Sequence, residues 1–153
     1  MPIGATNARK RAFLLKAYGH RYEKHYSSRP GCFYCGDKWT DMDHCPPLSW
    51  VEAKDITWFK LRKIGFWMVN SCHECNIALS NHALFTLQER ATFIRRRLEE
   101  KAEKFVFWSN DELKEMSPRF QKSIKARMQL QNTMVERIQF AQELQFRPED
   151  FPA

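Results

Sequence analysis

Two pairs of cysteines, each with the spacing C-x-x-C, are the clearest chemical signal in the sequence. They are Cys32 with Cys35 and Cys72 with Cys75. Four thiolates form the complete tetrahedral ligand set of a structural zinc ion, and a complete set leaves no open position for a substrate. One C-x-x-C pair alone can be a redox site, but two pairs favour a metal. We therefore predict a structural zinc site, with His73 inside the second pair as a less favoured alternative ligand.

Residues suited to hydrolytic chemistry lie between and directly after these pairs. Asp43-His44 follows the first pair, and Asn76 comes immediately after the second. Taken singly, each has an ordinary structural explanation, because an Asp-His before Pro-Pro fits a turn and an Asn at this place can cap a helix. The order of these three residues around the two cysteine pairs is what favours an active site.

The order C-x-x-C, D-H, C-x-x-C-N resembles the zinc-bound branch of the HNH, or ββα-metal, nuclease family, and in particular the phage Holliday-junction resolvases of the endonuclease VII type. The resemblance covers about residues 31–81, a third of the chain. It implies a β-hairpin followed by a helix, with zinc clamping the ends of the hairpin. It also implies that Asp43 and Asn76 hold one catalytic Mg²⁺ or Mn²⁺, that His44 activates water, and that DNA is cut to leave 5′-phosphate and 3′-hydroxyl ends.

Elementary chemistry agrees with these roles. An incomplete, oxygen-rich ligand set suits Mg²⁺ or Mn²⁺, which keeps water molecules and accepts phosphate oxygens. A neutral imidazole accepts a proton from water near neutral pH. The family usually carries an Asn on the second strand, several residues before the second cysteine pair, and a Lys shortly after the Asn that follows that pair. Here the only Asn between His44 and Cys72 is Asn70, just two residues before the pair. No Lys follows closely after Asn76, where Asn81 or His82 could add to the site. Enough such gaps would leave a zinc fold that binds DNA without cutting it.

The charge of the chain favours a polyanionic partner. The net charge is +7, and the first 30 residues carry seven cations and one acidic residue. We predict DNA, including branched or nicked DNA, as that partner, although a membrane surface or an acidic protein would also be attracted by positive charge. In a second basic segment, Lys60, Arg62 and Lys63 lie among aromatic residues. This composition suits DNA binding, and it suits equally well a helix whose aromatic residues pack inward. The predicted nucleic-acid contacts are Arg9, Lys10, Arg11, Lys60, Arg62 and Lys63.

Hydrophobic periodicity predicts helices on both sides of the cysteine region. A basic amphipathic helix is expected from Asn7 to about Tyr22. Thr86-x-x-Glu89 predicts the start of a second helix, whose outer face would carry Arg90 and further cations. Ser109-x-x-Glu112 and Ser117-Pro118 predict two more helix starts. Between them, strands are expected around 39–44 and 66–69.

These elements predict a mostly helical α+β fold with a zinc-stapled ββα-metal core. We expect one compact domain made of a basic N-terminal helix (1–30), the core (31–85) and a C-terminal helical region (86–153). The apolar surface of the last helix could support a homodimer. No apolar run is long enough to span a bilayer and no secretory signal is evident, so we expect a cytoplasmic protein of a bacterial or phage-infected cell.

The sequence favours a DNA endonuclease and leaves two rivals open. The first is a non-catalytic zinc module that binds DNA. The second is a small phage-type interaction or inhibitor protein that uses its terminal helices on a protein partner. A DNA affinity that falls steeply with salt would favour the endonuclease or the DNA-binding module over the interaction protein.

Overall fold

Helices make up most of the fold, and they surround one small sheet. A computed structural model describes residues 7–80 and 82–152. The expected mostly helical α+β fold is confirmed. The elements are α1 (Asn7–Tyr18), β1 (Glu23–Lys24), β2 (Asp41–Cys45), α2 (Leu48–Lys54), α3 (Ile56–Leu61), β3 (Trp67–Ser71), α4 (His73–Leu79), α5 (Leu87–Glu103), α6 (Asn110–Lys114) and α7 (Pro118–Leu144), with short 3-10 turns at Gly19–Arg21 and Pro148–Asp150.

The sheet has three strands in the order β1-β3-β2. Strands β2 and β3 are antiparallel, and α4 follows β3 directly, so the chain contains the expected succession of two antiparallel strands and a helix. The connection between the two strands holds α2 and α3. Strand β1, which pairs parallel to β3 and forms the opposite edge, was not predicted from the sequence.

Helices cover both faces of the sheet. Successive side chains of a strand point to opposite faces, so Asp43 and His44 are directed to different sides. On the Asp43 side lies a core that includes the four paired cysteines, Cys45, Val69, Leu79, Ile94, Leu98 and Ala141, here called the cysteine-side core. On the His44 side lies a smaller core of Leu14, Tyr22, Leu48, Val51 and Phe59, here called the α1-side core.

The predicted helix starts are confirmed by their caps. The Thr86 side chain accepts a hydrogen bond from the Glu89 backbone N–H, and Ser109 and Glu112 form a reciprocal capping box. Helix α7 begins at Pro118, as expected for a proline with its fixed φ at the first helical position. Helix α1 ends four residues before the predicted Tyr22, and a 3-10 turn follows it.

The C-terminal helix packs onto the cysteine-side core. Ala141 and Leu144 of α7 belong to that core. The Arg29 guanidinium stacks 3.4 Å from the centre of the Phe140 ring, and Phe140 also closes against Gly36, where a Cβ would lie 2.4 Å from the ring. These contacts tie the N-terminal loop to the end of α7. No helix within the described residues combines the length and apolar composition that crossing a membrane needs.

Candidate metal centre and active site

The four paired cysteines come together in the cysteine-side core. All four are buried, and their sulfur atoms lie within 4.8 Å of one another. The Cys35 and Cys72 sulfurs are 3.7 Å apart. Tetrahedral zinc, with Zn–S bonds of about 2.3 Å, would place its sulfur ligands about 3.8 Å apart. The cluster therefore has the donor set, spacing and burial of a metal site.

Local backbone geometry explains why the two pairs meet. The first pair lies in a tight turn whose Gly31 has φ of 85°, and a Cβ there would be 2.5 Å from the Gly36 carbonyl oxygen. The Phe33 N–H donates to the Asn70 carbonyl of β3 at 2.8 Å, which pins this turn to the sheet. The second pair starts α4, where the Cys72 sulfur accepts a hydrogen bond from the Cys75 N–H at 3.4 Å.

A buried cation from α7 lies against this cluster. Arg137, only 7% exposed, places Nη2 3.8 Å from the Cys75 sulfur and Nη1 2.9 Å from a carboxylate oxygen of Glu74. Four thiolates around one divalent ion leave an excess of negative charge. Arg137 is placed to offset part of that charge, so the metal centre extends to the C-terminal helix.

A separate cavity of about 430 Å³ opens at the free edge of β2. It brings together the three candidate catalytic residues, Asp43, His44 and Asn76. Lys10 and Arg11 from α1 line the same cavity. A histidine, two oxygen donors and two cations thus share one opening, which is the combination that binding and cleaving a phosphodiester would need.

Asp43 is held by a buried ion pair. Its Oδ1 accepts from Arg90 Nη2 at 2.6 Å, and its Oδ2 accepts from Arg90 Nε at 2.9 Å and from the Tyr34 hydroxyl at 2.5 Å. Asp43 is 3% exposed and Arg90 1%. Burial acts to lower the pKa of Arg90, but the neighbouring Tyr34 and Asp43 raise the pKa above its ordinary value, so Arg90 stays charged.

Asn76 is oriented by a different carboxylate. Its Nδ2 donates to Asp41 Oδ2 at 3.1 Å, and the His73 Nδ1 lies 3.0 Å from the same oxygen. Hydrogen bonds from His73 and Asn76 hold the pKa of Asp41 below its usual value. With Nδ2 engaged in this way, Oδ1 is the atom of Asn76 that remains for a ligand in the cavity.

His44 lies on the other face of β2, against the α1-side core. Its ring makes an edge-to-face contact with Tyr22, with centroids 4.9 Å apart. The Tyr22 hydroxyl donates to the Pro46 carbonyl, which fixes the tyrosine. Burial, and then the positive charge of Arg11, lower the pKa of His44, so its imidazole is neutral near neutral pH.

Asp43 and Asn76 offer at most two oxygen atoms to a ligand in the cavity. A carboxylate offers about four acceptor positions, and Asp43 uses three for Arg90 and Tyr34, which leaves one. Asn76 Oδ1 would supply a second oxygen. Mg²⁺ commonly binds proteins through one or two such oxygens and completes its shell with water and substrate phosphate.

The remaining predicted residues lie outside the cavity. Arg9 is exposed on α1 but is absent from the cavity wall. Lys60, Arg62 and Lys63 are exposed at the end of α3, where the Arg62 guanidinium stacks 3.8 Å from the Trp58 ring. Nearby aromatic rings of this segment pack inward against Phe85. His82 contacts Phe93, and the other optional site residue, Asn81, lies outside the described residues.

The residues that hold the candidate site residues in place were not predicted from the sequence. Arg90 was expected on the outer face of its helix, and this was wrong, because the Asp43 carboxylate draws it into the interior. Tyr34, between the cysteines of the first pair, could have been suspected only from its place beside the ligands. Tyr22 and Arg137 carry no local motif, since both act across 22 or more residues of chain.

Comparison with known proteins gives no relative from which to transfer a function. Protein-family models, curated proteins and solved structures yielded no match to this chain. The likeness to HNH nucleases therefore stays a hypothesis based on motif order.

Proposed function

We propose that the protein is a metal-dependent endonuclease of the HNH type that hydrolyses phosphodiester bonds in DNA. His44 is the general base, and Asp43 and Asn76 hold a catalytic Mg²⁺ or Mn²⁺. The four paired cysteines hold a structural Zn²⁺. One observation carries the proposal: a single cavity at the edge of β2 is lined by His44, Asp43, Asn76 and two cations of α1.

Substrate binding is assigned to the cations of α1. Lys10 and Arg11 line the cavity on the side of the N-terminal helix, and both are exposed. Cationic side chains neutralise backbone phosphates and fix the register of the strand without reading its sequence. They would hold a phosphodiester against the β2 edge, within reach of His44.

Proton transfer is assigned to His44. Its lowered pKa keeps the imidazole neutral, so a ring nitrogen can accept a proton from a water that attacks the phosphorus. The edge-to-face contact with Tyr22 limits rotation of the ring. The water oxygen forms the new P–O bond as the bond to the 3′-oxygen breaks. The 3′-oxygen takes a proton from solvent water and leaves as a 3′-hydroxyl, and a 5′-phosphate remains.

The divalent ion, when bound, stabilises the charge that develops on the phosphate and on the departing oxygen. Asp43 and Asn76 are the residues that would hold it. Arg90 and Tyr34 fix the Asp43 carboxylate in place, and Asp41 fixes the Asn76 amide. These three neighbours are positioning residues.

Cleavage of plasmid DNA tests the proposal. Purified protein is incubated with supercoiled plasmid and Mg²⁺ or Mn²⁺, and His44→Asn is compared with His20→Asn, a control at an exposed histidine of the 3-10 turn. We expect His44→Asn to lose at least about 100-fold in rate, the usual contribution of a general base. His20→Asn should cut like wild type. Equal cutting by both variants, at unchanged zinc content, contradicts the assignment of His44.

A second candidate function is a DNA-binding module without catalysis. The observation in its favour is the pairing of Asp43 with Arg90, which neutralises the one carboxylate among the candidate catalytic residues. Under this alternative the cavity would bind a phosphate and cut nothing. Salt-dependent DNA binding, combined with no cleavage under any divalent ion, would select it over the nuclease.

A further inference from the structure

Two exposed aromatic rings share one lysine at the β1 end of the sheet. Tyr26 is 77% exposed and Trp39 is 44% exposed. The Lys24 ammonium lies 5.1 Å from the centre of the Tyr26 ring and 5.9 Å from that of Trp39. We call these three residues the aromatic platform. By contrast, the rings of Trp50 and Trp58 pack against Phe85 near the α1-side core, so they have a structural role that explains them.

Lys24 lies on the same face of the sheet as His44, at the opposite edge. Lys24 is paired with Met68, and Met68 is paired with His44, so the three residues form one row across the sheet. Paired residues direct their side chains to the same face, and two strand spacings amount to about 10 Å. Tyr26 comes two residues after Lys24, where the His25 N–H to Met68 carbonyl bond continues the ladder. The backbones at Lys24 and His44 thus lie about 10 Å apart across the sheet.

The chemistry of the platform fits unpaired nucleobases. A flat ring offers a stacking surface to any base, and a neighbouring cation attracts the phosphate that comes with it. Bases within a duplex are stacked on each other and do not offer their faces to a side chain. Exposed rings beside a lysine, in a chain of net charge +7, have the composition of a surface for single-stranded nucleic acid.

We propose that Tyr26 and Trp39 stack unpaired bases of a bound DNA strand, with Lys24 on the adjoining phosphate. This rests on the proposed function, and it narrows the substrate to single-stranded DNA or to the frayed and branched ends of a duplex. The assignment concerns binding alone and adds no step to the cleavage reaction.

The experiment compares two labelled probes that differ only in their bases. One is a twelve-nucleotide oligo(dT), and the other is a twelve-residue abasic strand with the same phosphates. Affinity is measured by fluorescence anisotropy without added divalent ion, so that nothing is cut. The variants are Tyr26→Ala, Tyr26→Phe and Trp39→Ala, and the control is Phe120→Ala, which removes an exposed ring from α7.

We expect wild type to bind oligo(dT) at least about 5-fold more tightly than the abasic strand, because stacking adds to phosphate binding. Tyr26→Ala and Trp39→Ala should each lose most of this preference and leave abasic binding unchanged, whereas Tyr26→Phe and Phe120→Ala keep it. Equal binding of both probes by wild type, or an unchanged preference in both alanine variants, overturns the platform and leaves the nuclease proposal intact. Failure of wild type to bind any nucleic acid, duplex included, overturns the proposed function itself.

Discussion

The cysteine cluster lies inside the cysteine-side core and the His44 cavity lies at the free edge of β2, and the two are built in different ways. The cluster takes its four ligands from two turns, is closed to solvent and has a complete donor set. The cavity takes residues from α1, β2, α2, α4 and α5, opens to solvent and offers an incomplete set of metal ligands. A closed set suits a structural ion, and an open set suits a reaction. Under the proposed function, the cluster contributes stability and the cavity contributes the chemistry.

Strand β2 connects the two regions. Asp43 faces the cysteine-side core and His44 faces the α1-side core, so two adjacent residues draw on different packing environments. Asp43 is held by a helix that packs on the cysteine-side core, through Arg90. A well-packed cysteine-side core therefore also holds Asp43, a wall residue of the cavity, in place.

Removing a cysteine ligand should have the largest effect. Cys72→Ser is expected to lose the metal and with it the cooperative unfolding transition, because metal binding contributes on the order of 10 kcal/mol to folding in small zinc sites. Elemental analysis and thermal melting measure both effects. Cys45→Ala, a buried cysteine outside the cluster, is the control and should keep one zinc per chain. Loss of zinc without loss of the melting transition contradicts a structural role for the metal.

Breaking the buried ion pair should come next. Arg90→Met leaves the Asp43 carboxylate buried without a counter-charge, which costs about 3 to 5 kcal/mol. Urea denaturation measures the loss, and Arg96→Met, at an exposed position of the same helix, should change stability by less than about 0.5 kcal/mol. Adding Asp43→Asn to Arg90→Met should recover part of the loss. If the double variant is no more stable than Arg90→Met, the two residues are not coupled.

A smaller effect is expected at the contact between α7 and the cysteines. Arg137→Met removes the cation beside Cys75 and should speed zinc release to a chromophoric chelator, because losing a neighbour of a metal ligand costs about 10- to 100-fold in metal affinity. Arg127→Met, at an exposed position of α7, serves as the matched control. Equal release rates for the two variants would show that Arg137 of the C-terminal helix does not affect metal binding.

The smallest effect should follow loss of one phosphate contact on the cavity side. Lys10→Ala and Arg11→Ala should each weaken DNA binding and lower the slope of log affinity against log salt by about 1. Lys16→Ala, on the same helix but outside the cavity, should leave the slope unchanged. A slope that responds equally to all three variants would indicate diffuse attraction instead of a defined site.

The sequence predicted the cysteine cluster well because its ligands are fixed by local turns. C-x-x-C spacing sets the distance within each pair. The pairing of the strands then has only to bring the two pairs together. Helices α5, α6 and α7 were also predicted, because Thr86, Ser109 and Pro118 act on their own helix starts. In the cluster and in the helices, residues close together in sequence determine the structure.

Long-range partners could not be predicted in the same way. Arg90 was placed on a solvated face, since nothing near it in sequence shows that Asp43, 47 residues away, needs a counter-charge. Strand β1 has only two residues, too few for an alternating pattern to appear. In both cases tertiary contacts determine a placement that local propensity leaves open.

The central claim, that His44 is the general base of the cavity, is tested most directly by chemical rescue. His44→Gly is assayed on labelled DNA under single-turnover conditions with Mg²⁺ or Mn²⁺, with and without added imidazole, after its zinc content is shown to match wild type. We expect His44→Gly to be at least about 100-fold slower than wild type and imidazole to restore part of the rate, because the free base can enter the space that the side chain left. Cutting by His44→Gly at the wild-type rate, or a slow rate that imidazole does not change, would contradict the central claim.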